Sequence, residues 1–239
     1  MNNPVRSLSK REWVIWIASL AAVAGANVIS NDVDWLTLTA AMVGVTSLIF
    51  AAKGNVWAQI LMIVFSVLYG IISWRFQYWG EMITYLGMTM PMAIWSTITW
   101  LKNPSKENSS EVAIRPLQAK HVWRLAFFGA IVTGGFYFIL RALDTPNIVF
   151  STISITTSFL AASLTVLRSS YYALGYASND IVLIVLWVLA SVKNPAYIPV
   201  AVNFVIFLFN DIYGFISWKT REVKRNASAC RQSCVPRDA

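Results

Sequence analysis

Charge is scarce in this chain: Asp, Glu, Lys and Arg make up 13% of its 239 residues, and the 11 acidic ones are outnumbered by 19 basic ones. Its one histidine, His121, lies in a basic loop, and its two cysteines, Cys230 and Cys234, stand together near the C-terminus. These shortages exclude a buried metal cluster and a Ser-His-Asp relay, and a half metal site at the cysteines has no second pair of ligands near it. The tail that carries them reads as disordered, and a stable disulfide is not expected there. The longest loop, Lys102 to His121, is too short to carry a glycine-rich phosphate loop on a soluble domain, which excludes nucleotide hydrolysis. A retinal Schiff base needs a lysine deep in an apolar helix. Lys193 and Lys219 both fall at helix ends.

Apolar residues fill the space that charge leaves. They amount to 57% of the chain, with 13 Phe and 11 Trp, and they arrive in runs of about 20, the length that crosses a hydrocarbon core. Eight runs are predicted as membrane spans: Glu12 to Ile29, Trp35 to Ala52, Val56 to Ser73, Glu81 to Leu101, Val122 to Leu140, Ile148 to Leu167, Tyr171 to Val192 and Tyr197 to Trp218. The first is read as a retained helix and not a cleaved signal, because Asn31-Asp32-Val33-Asp34 follows it. Eight spans send 16 of the 19 basic residues to one side, including Lys106, Arg115, Arg221, Arg225, Arg231 and Arg237, and leave Arg75, Arg141 and Lys193 on the other. Cytoplasmic loops gather Lys and Arg, so both termini are expected in the cytoplasm. The net charge of +8 is thereby explained by topology and contact with membrane lipids, without nucleic acid.

The chain resembles itself at an offset of 118 residues. Ile63, Val64, Val67 and Leu68 fall on Ile181, Val182, Val185 and Leu186, Tyr69 on Trp187, Trp79 on Tyr197, Tyr85 on Asn203, Trp95 on Tyr213 and Trp100 on Trp218. The unit is three helices, and the extra span Val122 to Leu140 between the copies lets both face the same way. The reading is a parallel 3+1+3 arrangement with one additional N-terminal helix. It divides the chain into 1–32, 33–102, 103–147, 148–222 and 223–239. Small residues at four-residue spacing, Ala40 and Gly44 in one lead helix and Ser154, Ser158 and Ala162 in the other, read as close helix packing.

Two of the last spans carry polar stripes. Tyr172, Tyr176, Asn179, Asp180 and Trp187 share one face; Asn203, Phe207, Asn210, Gly214 and Ser217 share another, with Asp211 beside them. By helical rise both aspartates reach about the midplane, with no Lys or Arg at that depth. Buried ionisable groups in a membrane mark a functional site by default. Gln59, Ser66, Tyr69, Tyr85 and Trp95 extend the candidate binding surface in the first copy, Thr89 continues its stripe, and Tyr213 adds to the second. Trp13, Trp16, Trp74, Trp100, Trp123 and Trp218 read as an interfacial belt. Glu81 reads as a solvated position at a mouth, and Pro91 as a kink.

Tyr78-Trp79-Gly80-Glu81 leading through Pro91 to Trp100, and Asn210-Asp211-Ile212-Tyr213-Gly214 followed by Trp218, resemble the PnuC family of nicotinamide riboside transporters over about residues 33 to 222. Tyr172 stands where that family often opens a span with Trp, and Asn179 follows seven residues on, with Gly175 or Tyr176 in place of a second Trp. The resemblance implies an all-α, SWEET-like integral membrane protein of a bacterial inner membrane and allows a homotrimer. It also implies facilitated diffusion of nicotinamide riboside without a cofactor, the product being trapped by a separate kinase. A pyridinium ribonucleoside suits an acidic, aromatic site. Thiamine is an alternative cargo of the same character, and a ligand-sensing receptor an alternative of another class. The missing catalytic dyads argue against an enzyme.

Overall fold

The computed structural model describes residues 4–29, 34–105 and 108–233, without the side chains of residues 28, 29 and 228–233. Asn31, Asp32, Val33, Lys106, Cys234 and Arg237 fall outside these residues, as do the side chains of Cys230 and Arg231. The described residues form helices joined by loops: α1 Lys10–Ile29, α2 Trp35–Lys53, α3 Trp57–Arg75, α4 Trp79–Thr84, a π-helical turn Tyr85–Thr89, α5 Met90–Leu101, α6 Ala119–Ala142, α7 Ile148–Val166, α8 Tyr172–Lys193 and α9 Ile198–Ser233. Six of these are long and apolar enough to cross a membrane: α2, α3, α6, α7, α8 and the stretch Pro195–Ala227 containing α9. The protein is a multi-pass membrane protein.

The helix boundaries follow from local chemistry. Asp34 caps α2 by accepting from the Leu36 N–H at 3.2 Å and the Thr37 hydroxyl at 2.7 Å, and Arg75 at the end of α3 joins it at 3.2 Å. That pair fastens the ends of α2 and α3 at one end of the bundle. At the other end α2 stops at Gly54, whose φ of 75° places it in the left-handed region that glycine enters without strain.

The sequence-predicted span Glu81 to Leu101 departs from a plain helix. Pro91 has no N–H to offer the carbonyl one turn back. Just ahead of it the Met90 N–H reaches the Tyr85 carbonyl, five residues back. The expected kink is thus absorbed by a widened turn, a feature that favours functional sites. The turn divides the span into α4 and α5, each shorter than a membrane crossing.

Neighbouring helices pack α2 against α3 and α9, α7 against α8, and α5 against α7. Trp100 and Trp218, expected in an interfacial belt, are fully buried. Trp100 donates its indole N–H to the Thr165 carbonyl of α7 at 3.1 Å, and Trp218 to the Ala51 carbonyl of α2 at 2.8 Å. Each indole adds a second hydrogen bond to a carbonyl in the last turn of a helix, beside those from the Arg168 and Gly54 N–H groups, and their rings lie 5.6 Å apart. Trp74 and Trp123 remain exposed, as a belt requires. α6 touches mainly α7, through a 2.7 Å hydroxyl contact between Thr133 and Thr156, and turns Trp123, Phe127 and Phe138 outward.

The loop after α5 straps this end of the bundle. The Val112 N–H donates to the Gly54 carbonyl and the Arg115 N–H to the Arg168 carbonyl, each at 2.9 Å. Arg221 donates to the carbonyls of Lys53 at 2.7 Å and Ala52 at 3.0 Å and pairs with Glu111 at 3.0 Å, while Arg225 donates to the Ile114 carbonyl. These two arginines share a face at i, i+4. One expectation is corrected at the C-terminus: the cysteine-bearing tail from residue 223, expected to be disordered, continues α9 to Ser233.

Candidate functional site

α2, α3, the π turn, α7, α8 and α9 enclose a cavity of about 20 Å³ at the centre of the bundle. Phe65, Tyr85, Tyr176 and Phe207 supply aromatic walls, Met62 and Leu48 apolar ones, and Thr89, Ser158, Asn179, Asp180 and Asp211 the polar groups. Phe207 fits because α2 has glycine at position 44, where a Cβ would stand 2.5 Å from the tip of its ring. Thr89 and Phe207 are themselves 118 residues apart, so the two halves contribute matching positions to one cavity.

Asn179 is held by hydroxyls of α7. Its Oδ1 accepts from Thr157 at 2.8 Å, Ser158 at 3.0 Å and Ser154 at 3.5 Å. The small-residue face of α7 therefore does more than pack: it saturates one end of the amide and leaves the NH₂ group as the donor for the cavity. One residue on, Asp180 meets Asp211 of α9 within hydrogen-bonding reach. One Asp180 oxygen has no partner, and none of the ion pairs among the described residues involves either acid. Two buried carboxyls this close, with no cation beside them, hold a proton between them, so the pair presents at most one negative charge to the aromatic walls.

Aromatic plugs lie on both sides. Toward the end that carries Arg75, Tyr69 and Trp187 are fully enclosed and hydrogen-bonded at 2.8 Å. Beyond them Tyr78 stands 4.8 Å and Tyr197 5.6 Å from Trp187, and Phe76 packs on Tyr197 at 4.7 Å. Toward the strapped end Tyr172 packs on Trp218 at 4.6 Å.

The sequence-predicted residues thus fall into groups. Tyr85, Tyr176, Asn179, Asp180 and Asp211 line the cavity, while Tyr69, Trp187 and Tyr172 close it. Asn203 borders a second void of about 10 Å³ shared with Tyr69, Phe65 and Phe207. Asn210 turns the other way and donates to the Ser19 hydroxyl of α1 at 2.9 Å, so the N-terminal helix claims it. Trp95 is 61% exposed on the outer surface of α5, because the buried face of that helix runs through Ala93, Ser96 and Trp100. Ser66 is spent on the Met62 carbonyl at 2.8 Å. Gln59 is buried but outside the cavity lining, and Tyr213 is half-buried beside Glu12.

Phe65, Met62, Leu48, Ser158 and Phe204 line the cavity without having been singled out as binding residues; apolar identity hid four of them, and Ser158 read as packing. Glu81 needs a larger correction. It is completely buried, not solvated at a mouth, and neither carboxylate oxygen has a hydrogen-bond partner.

The family model described as nicotinamide mononucleotide transporter matches residues 34–220. A nicotinamide riboside transporter PnuC of Neisseria mucosa is 26% identical over 219 residues, covering 89% of this chain and 82% of that protein. The PnuC protein of Haemophilus influenzae is 22% identical over 213 residues, covering 89% and 91%. A crystal structure of the vitamin B3 transporter PnuC superposes with a TM-score of 0.78 at 24% identity, over 92% of this chain and 94% of the other. A helical multi-pass membrane protein matched by that model over most of its length, residues 34–220, belongs to the nicotinamide mononucleotide transporter family, that of the PnuC transporters.

Proposed function

We propose that this protein carries nicotinamide riboside across a bacterial inner membrane by facilitated diffusion, the product being trapped by phosphorylation inside. The observation that carries the reading is the Asp180 and Asp211 pair, set among Phe65, Tyr85, Tyr176 and Phe207 without a basic partner. Two carboxylates and aromatic faces suit a pyridinium ring, and the Asn179 amide suits the carboxamide or ribose hydroxyls. The names of the family and of its curated relatives differ by one phosphate. The charge of the cavity favours the riboside, because a phosphate beside Asp180 and Asp211 meets repulsion that little solvent screens.

A cavity of about 20 Å³ is far smaller than the roughly 300 Å³ or more of a small-molecule site. This is therefore a closed form. Admission from one end requires the Tyr69 and Trp187 plug to part, and release at the other requires movement of Tyr172 against Trp218. Two parallel three-helix copies around α6, a SWEET-like 3+1+3 plan with α1 added, supply the rocking halves for such alternation. On this plan α1 and the α4 to α5 segment also span, giving eight crossings, and the basic residues set both termini and the strap in the cytoplasm. The units are 1–32, 33–102, 103–147, 148–222 and 223–239, and the assembly is a homotrimer by analogy of fold.

Titrations of the purified protein with nicotinamide riboside, its mononucleotide, thiamine and riboflavin, paired with uptake of each into proteoliposomes, test this reading. Selective binding and saturable uptake of the riboside are expected. Preference for thiamine would replace the cargo, and binding without uptake would make the protein a receptor.

A further inference from the structure

We propose that Glu81 is a second charge-recognition point on the substrate path, lying beyond the central cavity, where the pyridinium cation is held on its way past the Tyr69 and Trp187 plug. This rests on the cationic-nucleoside reading above. Glu81 is 0% exposed and both its oxygens lack a hydrogen-bond partner. An unpaired carboxylate in such a place costs several kcal/mol, so a role confined to folding should have supplied a donor.

The usual structural roles do not account for it. Glu81 lies in the first turn of α4, where a carboxylate often caps the helix by accepting from the backbone N–H of the N-cap residue three positions back. That N–H, of Tyr78, instead donates to the Ser73 carbonyl at 2.8 Å. The ion pairs among the described residues join other groups. The repeat does not demand a carboxylate either, since the position 118 residues on is Pro199.

Its surroundings have the chemistry of a cation site. The Ser154 hydroxyl lies near Glu81 but is directed at the Asn179 amide oxygen, 3.5 Å away, and makes no hydrogen bond to the carboxylate. Tyr69 and Tyr85, their rings 4.3 Å apart, both lie within the field of Glu81. Tyr85 also lines the central cavity with Asp180 and Asp211, so it links the two acidic stations. Glu81 precedes Tyr85 by one helical turn, about 6 Å of rise. A cationic ring leaving Glu81 can therefore pass along the Tyr85 face to Asp180 without losing a negative neighbour. Such a relay lowers the barrier for a cation and does nothing for an uncharged isostere.

The test measures uptake of nicotinamide riboside and of its reduced, uncharged dihydro form into proteoliposomes holding full-length wild type, Glu81→Gln or Glu81→Asp. Glu81→Gln is expected to cut the preference for the cationic form about tenfold, and Glu81→Asp, which keeps the charge, to restore most of it. Should Glu81→Gln fail to fold, Glu81→Asp alone is read, with a preference between wild type and none. An unchanged preference in every variant that folds overturns the proposal, and so does wild-type uptake that requires sodium and loses that requirement in Glu81→Gln. If wild type transports neither riboside, the proposed function itself fails, an outcome distinct from either.

Discussion

Trp187 donates its indole N–H to the Tyr69 hydroxyl across 2.8 Å, and the two residues are 118 positions apart, the offset at which the halves of the chain resemble one another. Positions related by that offset therefore meet directly above the cavity, and on the proposed alternation their bond breaks when the path opens. Tyr69→Phe leaves the buried indole donor unpaired at a cost of about 1–3 kcal/mol. Thermal unfolding in detergent should register that loss. A double-mutant cycle with Trp187→Phe should return a coupling energy of about 1 kcal/mol, and strictly additive effects would deny the bond its place in the closed form.

Gly44 is predicted to be intolerant of a methyl group. A Cβ there would stand 2.5 Å from the Phe207 ring tip and 3.1 Å from the Phe65 ring, and both rings wall the cavity. Overpacking of this kind costs about 1–3 kcal/mol. Gly44→Ala should lower the melting temperature and weaken ligand binding together, since Phe207 has to turn into the space that the ligand uses. A variant as stable and as tight as wild type would show that Phe207 has another resting place.

Asp34 offers a pH test at the end of the bundle. Burial pushes its carboxyl up, but hydrogen bonds from Thr37, Arg75 and the Leu36 N–H, with the Arg75 charge, bring it below the ordinary value of 3.8. A depressed carboxyl contributes stability above its unfolded pKa and loses it as pH falls through the folded one. Asp34→Asn should therefore flatten the loss of stability below about pH 4 while changing little between pH 6 and 8 beyond a constant offset. An acid limb identical to that of wild type would remove Asp34 from the account.

The strap between α5 and α6 is expected in the cytoplasm with the C-terminal part of α9. With Cys230 and Cys234 replaced by serine, a cysteine at Ser109 should resist an impermeant thiol reagent in intact cells and react after lysis. Rapid labelling from outside would reverse the topology.

Much of this was legible in the sequence, for identifiable reasons. Apolar runs of membrane length are a one-dimensional signal, and the 118-residue offset paired Tyr69 with Trp187 before any coordinates. Asn179 and Asp180 were legible because polar groups on an apolar helix face stand out. Asn210 sent the same signal, yet its partner is Ser19 of α1, a helix outside the repeat, and no helical periodicity reports which neighbour a face will meet. Trp100 and Trp218 resembled belt residues because composition cannot separate an indole at an interface from one capping a buried helix end. Glu81 looked solvated from its distance along the chain. Its burial goes with the packing of α4 against α7, and its neighbour Gly80 faces Leu140 of α6, which sits 2.5 Å from where a Gly80 Cβ would be.

The central claim is that Asp180 and Asp211 select a cation and reject its phosphorylated form. Paired affinities for nicotinamide riboside and its mononucleotide, measured in wild type, Asp180→Asn and Asp211→Asn, test it most directly. A like-charge contact at an effective dielectric of about 20 is worth some kcal/mol, enough for roughly hundredfold discrimination. At least one substitution should weaken riboside binding and narrow the gap between the two ligands. If both substitutions leave both affinities unchanged, the two carboxylates are structural and the electrostatic account of selectivity is wrong.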